Sequence, residues 1–155
     1  MKIRISFVSN SSSSSFVVVD PAGSYNDLPI HGSEDEAFSI GKHGETEFGW
    51  GPDVIIDADS RVNFAYLQTL YTNEETRNKW QTMIQHALWR YIGTKEMTSL
   101  LSLEYKIPEG MKWGYIDHQS NAGEGENIEI FEDQNILEKF LFGEHSKIVL
   151  DNNNH

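Results

Sequence analysis

Cysteine is absent from the sequence, so no disulfide framework, thiolate nucleophile or zinc–thiolate site can be built. That absence agrees with a reducing compartment. Cationic side chains are scarce: 12 Lys and Arg stand against 24 Asp and Glu, a formal net charge of −12. So acidic a surface repels the phosphate backbone, and direct nucleic-acid binding is disfavoured. Long apolar runs are missing too. Lys2 and Arg4 precede only a few apolar residues before a serine run begins. That is too short for the apolar region of a signal peptide, and no stretch approaches the length of a membrane span. The chain therefore reads as soluble and cytoplasmic, with no membrane partner. Its 155 residues suit one domain that buries about 70% of its unfolded surface.

The amino terminus is unusual. Residues 7–16 read FVSNSSSSSF. Ile3, Ile5 and Phe7 alternate with Arg4 and Ser6 before the serines, and Phe16, Val17, Val18 and Val19 follow them, which predicts strand, polar turn, strand. Asp20, Pro21, Ala22 and Gly23 form a turn signal. Residues 21–53 hold half of the 12 glycines and all but one of the 4 prolines. They predict a long irregular excursion with short strands at 38–40 and 45–50.

Two helices are predicted next. Asp59 and Ser60 can cap the first, whose apolar face is Val62, Ala65, Tyr66 and Thr69, widened by Phe64, Leu67 and Leu70 and ending near Tyr71. Thr72, Asn73, Glu74 and Glu75 have the form of a capping box. From there Trp80, Met83, Ile84, Ala87, Leu88 and Tyr91 share one face until Gly93 ends the helix. Residues 100–107 fit either a helix end or a strand. Residues 113–118 predict a strand with Trp113, Tyr115 and Asp117 on one face and Ile116 and His118 on the other. A polar loop at 121–127 and a short strand at 128–131 come before Asp133, which caps a helix through Ile136, Leu137, Phe140 and Leu141 that ends at Gly143. A last strand at 147–150 leads into a polar tail at 151–155. The sum is an α+β domain, a mixed or antiparallel sheet with N- and C-terminal strands packed against about three helices.

Three polar clusters stand at the ends of apolar strands: Asn10, Ser11, Ser12, Ser13, Ser14 and Ser15; then Asp117, His118, Gln119 and Ser120; and finally Asp151. A sheet can gather such ends into one cleft. Successive N–H groups in a tight serine turn can form an anion-binding nest, hydroxyls add donors, and His118 is a switchable donor or acceptor. The expected ligand is a small polar or phosphorylated molecule. The plainer alternative is a hairpin turn whose Asn and Ser side chains bond their own backbone.

Catalytic signatures are lacking. The serine run has neither the spacing nor the lysine of a phosphate-binding loop. A hydrolase would need one of the serines, His118 and a remote acid such as Asp151, because adjacent Asp117 and His118 point to opposite faces of a strand. No G-x-S-x-G elbow is present. His118 with Asp117 or Asp151 could hold a cation, yet no H-x-x-x-H or H-E-x-x-H occurs. Neither a catalytic residue, a metal site nor a cofactor follows from the sequence. His86 flanks the long helix, His31 and His43 lie in the excursion, His155 is in the tail, and the tryptophans read as core. Acidity also supports a second reading, a protein that docks on a basic partner by imitating nucleic acid.

FVSNSSSSSF after a basic MKIR opening resembles the start of a group of uncharacterised phage and bacterial proteins. FGW at 48–50, YIDHQS at 115–120, FLFGEHS at 140–146 and IVLDNNN at 148–154 are similar to pieces of the same group. The resemblance covers both ends and scattered interior points. It implies a phage or prophage setting and hence a bacterial cytoplasm, with no reaction to carry over; in that setting the basic partner suggested by the charge is a host protein. Where those proteins tend to read N-D-N near the end, this chain has Asp151, Asn152 and Asn153.

Overall fold

β-branched runs near both ends of the chain find each other and build the main sheet. The computed structural model describes residues 3–4, 13–20, 37–49, 53–92, 100–105, 114–117 and 120–152. In chain order these form β1 (Ile3–Arg4), β2 (Ser13–Val19), β3 (Ala37–Ile40), β4 (Glu47–Phe48) and β5 (Asp53–Ile55), then α1 (Ala58–Thr69) and α2 (Glu74–Ile92). After them come β6 (Ser102–Tyr105), β7 (Tyr115–Ile116), α3 (Gln134–Phe142) and β8 (Lys147–Asn152).

The four-stranded sheet runs β1-β2-β8-β5 and is antiparallel throughout. At its centre β2 lies against β8, with Ser13 opposite Asn152 and Val18 opposite Lys147. Val17, Val19, Ile148 and Leu150 alternate onto the buried face, as a half-buried strand requires, and α3 packs against β2. Two parallel pairs, β3 with β6 and β4 with β7, stand apart from this sheet. The α+β class, with N- and C-terminal strands in one sheet and three α-helices among the described residues, is as expected from the sequence.

Helix α1 runs through the middle and is buried on nearly every side. Its Phe64 meets Phe48 edge to face at 5.1 Å and Phe140 at 6.1 Å. Burying each such ring contributes about 1.5–3 kcal/mol. Several polar residues of α1 are buried where they hold other segments. Arg61 donates to the carbonyls of Phe140 (2.8 Å) and Gly143 (2.9 Å), placing a cation at the negative end of α3. Asn63 accepts from the Gly41 N–H at 2.8 Å and donates to the carbonyls of His43 and Glu45. The predicted stripe of α2 also forms: Ile84, Ala87 and Leu88 are buried, and Trp80 stacks on Phe131 at 4.2 Å.

Several local expectations are corrected. Asp57 caps α1, its carboxylate accepting the Ser60 N–H at 2.9 Å, while Asp59 and Ser60 lie inside the helix. Asn73 rather than Thr72 caps α2, accepting the Thr76 N–H at 2.8 Å. The Thr72 hydroxyl instead donates back to the Thr69 carbonyl at the end of α1. Residues 100–107 contain the strand β6, not a helix end. Residues 128–131 form a 3-10 turn rather than a strand. There adjacent Ile130 and Phe131 are both buried. Asp151 and Asn152 extend β8 instead of starting the tail. Asp133 does cap α3, accepting the Ile136 N–H at 2.8 Å, and Gly143 ends it. Gly93 and residues 21–36 of the excursion lie outside the described residues, while β3 and β4 supply its two short strands.

Candidate functional site

The serine run is not wholly a turn. Ser13, Ser14 and Ser15 belong to β2, and Ser14 sits opposite Asp151 in β8. Serine tolerates the extended conformation when a partner strand completes the ladder, and here the carboxyl-terminal strand does. The anion-binding nest expected of these residues is therefore overturned, because a nest needs turn conformations. Asn10, Ser11 and Ser12 lie outside the described residues.

On the ladder positions of β2 that β8 does not fill, side chains stand in for a strand. The Ser15 N–H donates to the Ser120 hydroxyl, across 105 positions of sequence. Asn127 accepts from the Val17 N–H at 3.3 Å and donates to the carbonyls of Ser15 (3.0 Å) and Ser120 (2.9 Å). Its backbone, at φ 57, is in the left-handed region, which Asn enters more readily than most residues. An unpaired strand edge is a liability, and these two side chains close it.

The turn that carries Ser120 is held from below by α1. Gln68 donates to the Ser120 carbonyl at 3.0 Å and accepts from the Ala122 N–H at 2.6 Å. The Tyr71 hydroxyl accepts from the Ile116 N–H at 3.0 Å and donates to the Ile116 carbonyl at 3.3 Å. Asp117 is buried and its N–H donates to the Phe48 carbonyl at 2.8 Å. It packs over Gly49, where an added Cβ would lie 2.2 Å from the Asp117 Cβ. The Ser120 N–H donates back to the Asp117 carbonyl at 3.0 Å. Burial, and then the carboxylates of Glu47 and Asp117, push the neighbouring Tyr115 hydroxyl above its ordinary range.

Of the predicted site residues, then, Ser14, Ser15, Asp117, Ser120 and Asp151 gather where β2 and β8 meet the 117–120 turn. His118 and Gln119 lie outside the described residues. Asn127, Gln68, Tyr71 and Gly49 were not anticipated. Asn127 had a signal, a polar residue in a glycine-containing loop; Gln68 had none, being one polar residue on a helix face. Ser15 is 1% exposed and, among the described residues, its hydroxyl has no hydrogen-bond partner. Among the same residues no three His, Cys, Asp or Glu side chains converge as a metal site. A shallow pocket of about 210 Å³ lies elsewhere, lined by Ile56, Glu144, His145, Ser146 and Lys147. Its Lys147 is four residues along β8 from Asp151, about 13 Å. No helix among the described residues is long and apolar enough to cross a membrane. No family model, curated protein or solved structure matches this chain.

Proposed function

We propose that this chain is a phage-type accessory protein of the bacterial cytoplasm that binds a small polar or phosphorylated ligand where the serine strand meets the 117–120 turn. The observation that carries the reading is the hydrogen bond from Ser15 to Ser120, with Ser14 opposite Asp151 in the same sheet. Polar groups far apart in the chain converge there, and a convergence of donors and acceptors over an apolar core is the usual make-up of a small-molecule site. His118 and Gln119, between Asp117 and Ser120 in the chain, add a switchable donor and an amide. A thermal-shift screen of small metabolites tests it on the native chain and on a Ser14→Ala/Ser120→Ala variant. A compound that stabilises the native chain and leaves the variant unmoved is the expected result. If every stabilising compound acts equally on both, the reading fails.

A second reading, an acidic effector docking on a basic host protein, is favoured by one feature. Glu124, Glu126, Glu129, Glu132 and Asp133 follow one another with no Lys or Arg between Lys112 and Lys139, and Glu124, Glu132 and Asp133 are exposed. Capture of a basic bacterial protein should weaken steeply as salt rises, since the charges lie in solvent. Capture indifferent to salt would count against it.

A further inference from the structure

We infer that the pocket lined by Ile56, Glu144, His145, Ser146 and Lys147 is a second ligand site, for a small monocarboxylate with an apolar tail. Lys147 lies about 13 Å along β8 from Asp151, so this site is separate from the serine strand and stands whether or not that strand binds anything. Three observations meet at this corner of the sheet.

The first is a wall built in advance. The turn between α3 and β8 is fastened at several points. The Ser146 N–H donates to the Gly143 carbonyl at 3.1 Å. The Ser146 hydroxyl donates to the Lys139 carbonyl at 2.6 Å and accepts the Asp20 N–H at 3.1 Å. Arg61 holds the Gly143 carbonyl from α1 at 2.9 Å. A turn so held keeps the pocket's shape before any ligand arrives, which lowers the ordering cost of binding. The pocket's volume is about 210 Å³, below the about 300–1,000 Å³ of a drug-sized site, so its ligand is small.

The second is apolar surface left in water. Ile55 pairs with Ile148, and both are buried. Side chains alternate along a strand, so Lys147 and Ile56, each one step from that pair, stand on the outer face with Val54 and its partner Val149. Val54 is 49% and Ile56 65% exposed, the two highest values among the large hydrophobic residues described. A tail laid over them removes apolar area from water.

The third is charge. Lys147 is half-buried, and among the described residues no carboxylate lies within ion-pair distance of it. A cation partly withdrawn from water attracts an anion more strongly than a fully exposed one. His145, two positions earlier, adds an N–H donor in either charge state. One ammonium and one imidazole N–H match the two oxygens of a carboxylate. Glu144 is exposed, so its charge is screened from a monoanion; a phosphate dianion would meet twice the repulsion.

Calorimetry and amide NMR on the full chain test this with octanoate, octylammonium and acetate below micelle-forming concentrations. Octanoate should bind and shift the amides of Ile56, His145 and Lys147. Acetate should bind at least tenfold more weakly, and octylammonium should not bind there. Lys147→Met keeps the aliphatic stem and removes the charge, while Ile56→Ser changes a side chain exposed enough for the fold to be retained. Each should weaken octanoate about tenfold, and Glu144→Gln should leave its affinity equal or higher. Octylammonium binding as tightly as octanoate, or weaker octanoate binding in Glu144→Gln, would overturn the charge assignment. Acetate matching octanoate would overturn the apolar tail. Octanoate that leaves these amides unmoved, or that ignores both Lys147→Met and Ile56→Ser, would remove the site.

Discussion

Asn127→Ala is the most informative single change. The Asn127 side chain makes three hydrogen bonds to the backbone, to Val17 N–H, Ser15 C=O and Ser120 C=O, and the residue is 0% exposed. Truncation leaves Val17 N–H and Ser15 C=O buried and unsatisfied, at about 1–3 kcal/mol each. The Ser120 carbonyl keeps Gln68, so it adds little. Alanine at φ 57 adds about 1 kcal/mol of backbone cost. The expected loss is about 3–7 kcal/mol, a large fraction of the 5–15 kcal/mol typical of a domain. Urea denaturation of the full chain would show a lower midpoint with an unchanged slope. Asn127→Gly separates the contributions: it relieves the backbone and restores about 1 kcal/mol, but not the hydrogen bonds. A loss below about 1 kcal/mol for Asn127→Ala would refute the view that this side chain completes the edge of β2.

Other outcomes follow from the same geometry. Ser15→Ala should fold as well as the native chain or better by up to about 1 kcal/mol, since it removes a buried hydroxyl without a partner; a clear drop in melting temperature would contradict this. Gly49→Ala should lose about 2–6 kcal/mol, because φ is +132° and the new Cβ would lie 2.2 Å from the Asp117 Cβ; a melting temperature near that of the native chain would show that the Asp117 turn shifts freely. Burial raises the hydroxyl pKa of Tyr66 and of Tyr105 above the ordinary value near 10. The folded state therefore favours the neutral phenols. That stabilisation is complete below pH about 10 and is lost as pH rises through the folded values. Phenolate absorbance should trail the ordinary titration in the native protein and stability should fall in that window; ordinary titration of both tyrosines would contradict it.

Much of the scaffold was legible because it rests on periodicity. The stripe from Trp80 to Tyr91, the Asp133 cap and the terminal strands are local patterns whose physics needs no partner. Errors arose where the partner decides. Five serines signal a turn until β8 offers Ser13 and Ser14 a ladder, and the same pairing draws Asp151 and Asn152 out of the tail. Thr72 and Asn73 compete for one cap, and the hydroxyl of Thr72 is claimed by Thr69 of α1. Proximity of the serine run, the 117–120 turn and Asp151 was foreseeable from strand ends. The residues that fasten them were not, because Gln68 and Asn127 act across 52 and 112 positions and nothing local marks such reach.

Amide hydrogen exchange at Ser15 and Val17 tests most directly whether the two ends of the chain and the 117–127 segment form one built site. Both amides should be strongly protected in the native protein. Ser120→Ala should selectively release Ser15, and Asn127→Ala should release Val17, with the amides of α2 unchanged under conditions where both variants stay folded. Fast exchange at Ser15 and Val17 in the native protein, or protection indifferent to both substitutions, would contradict the account.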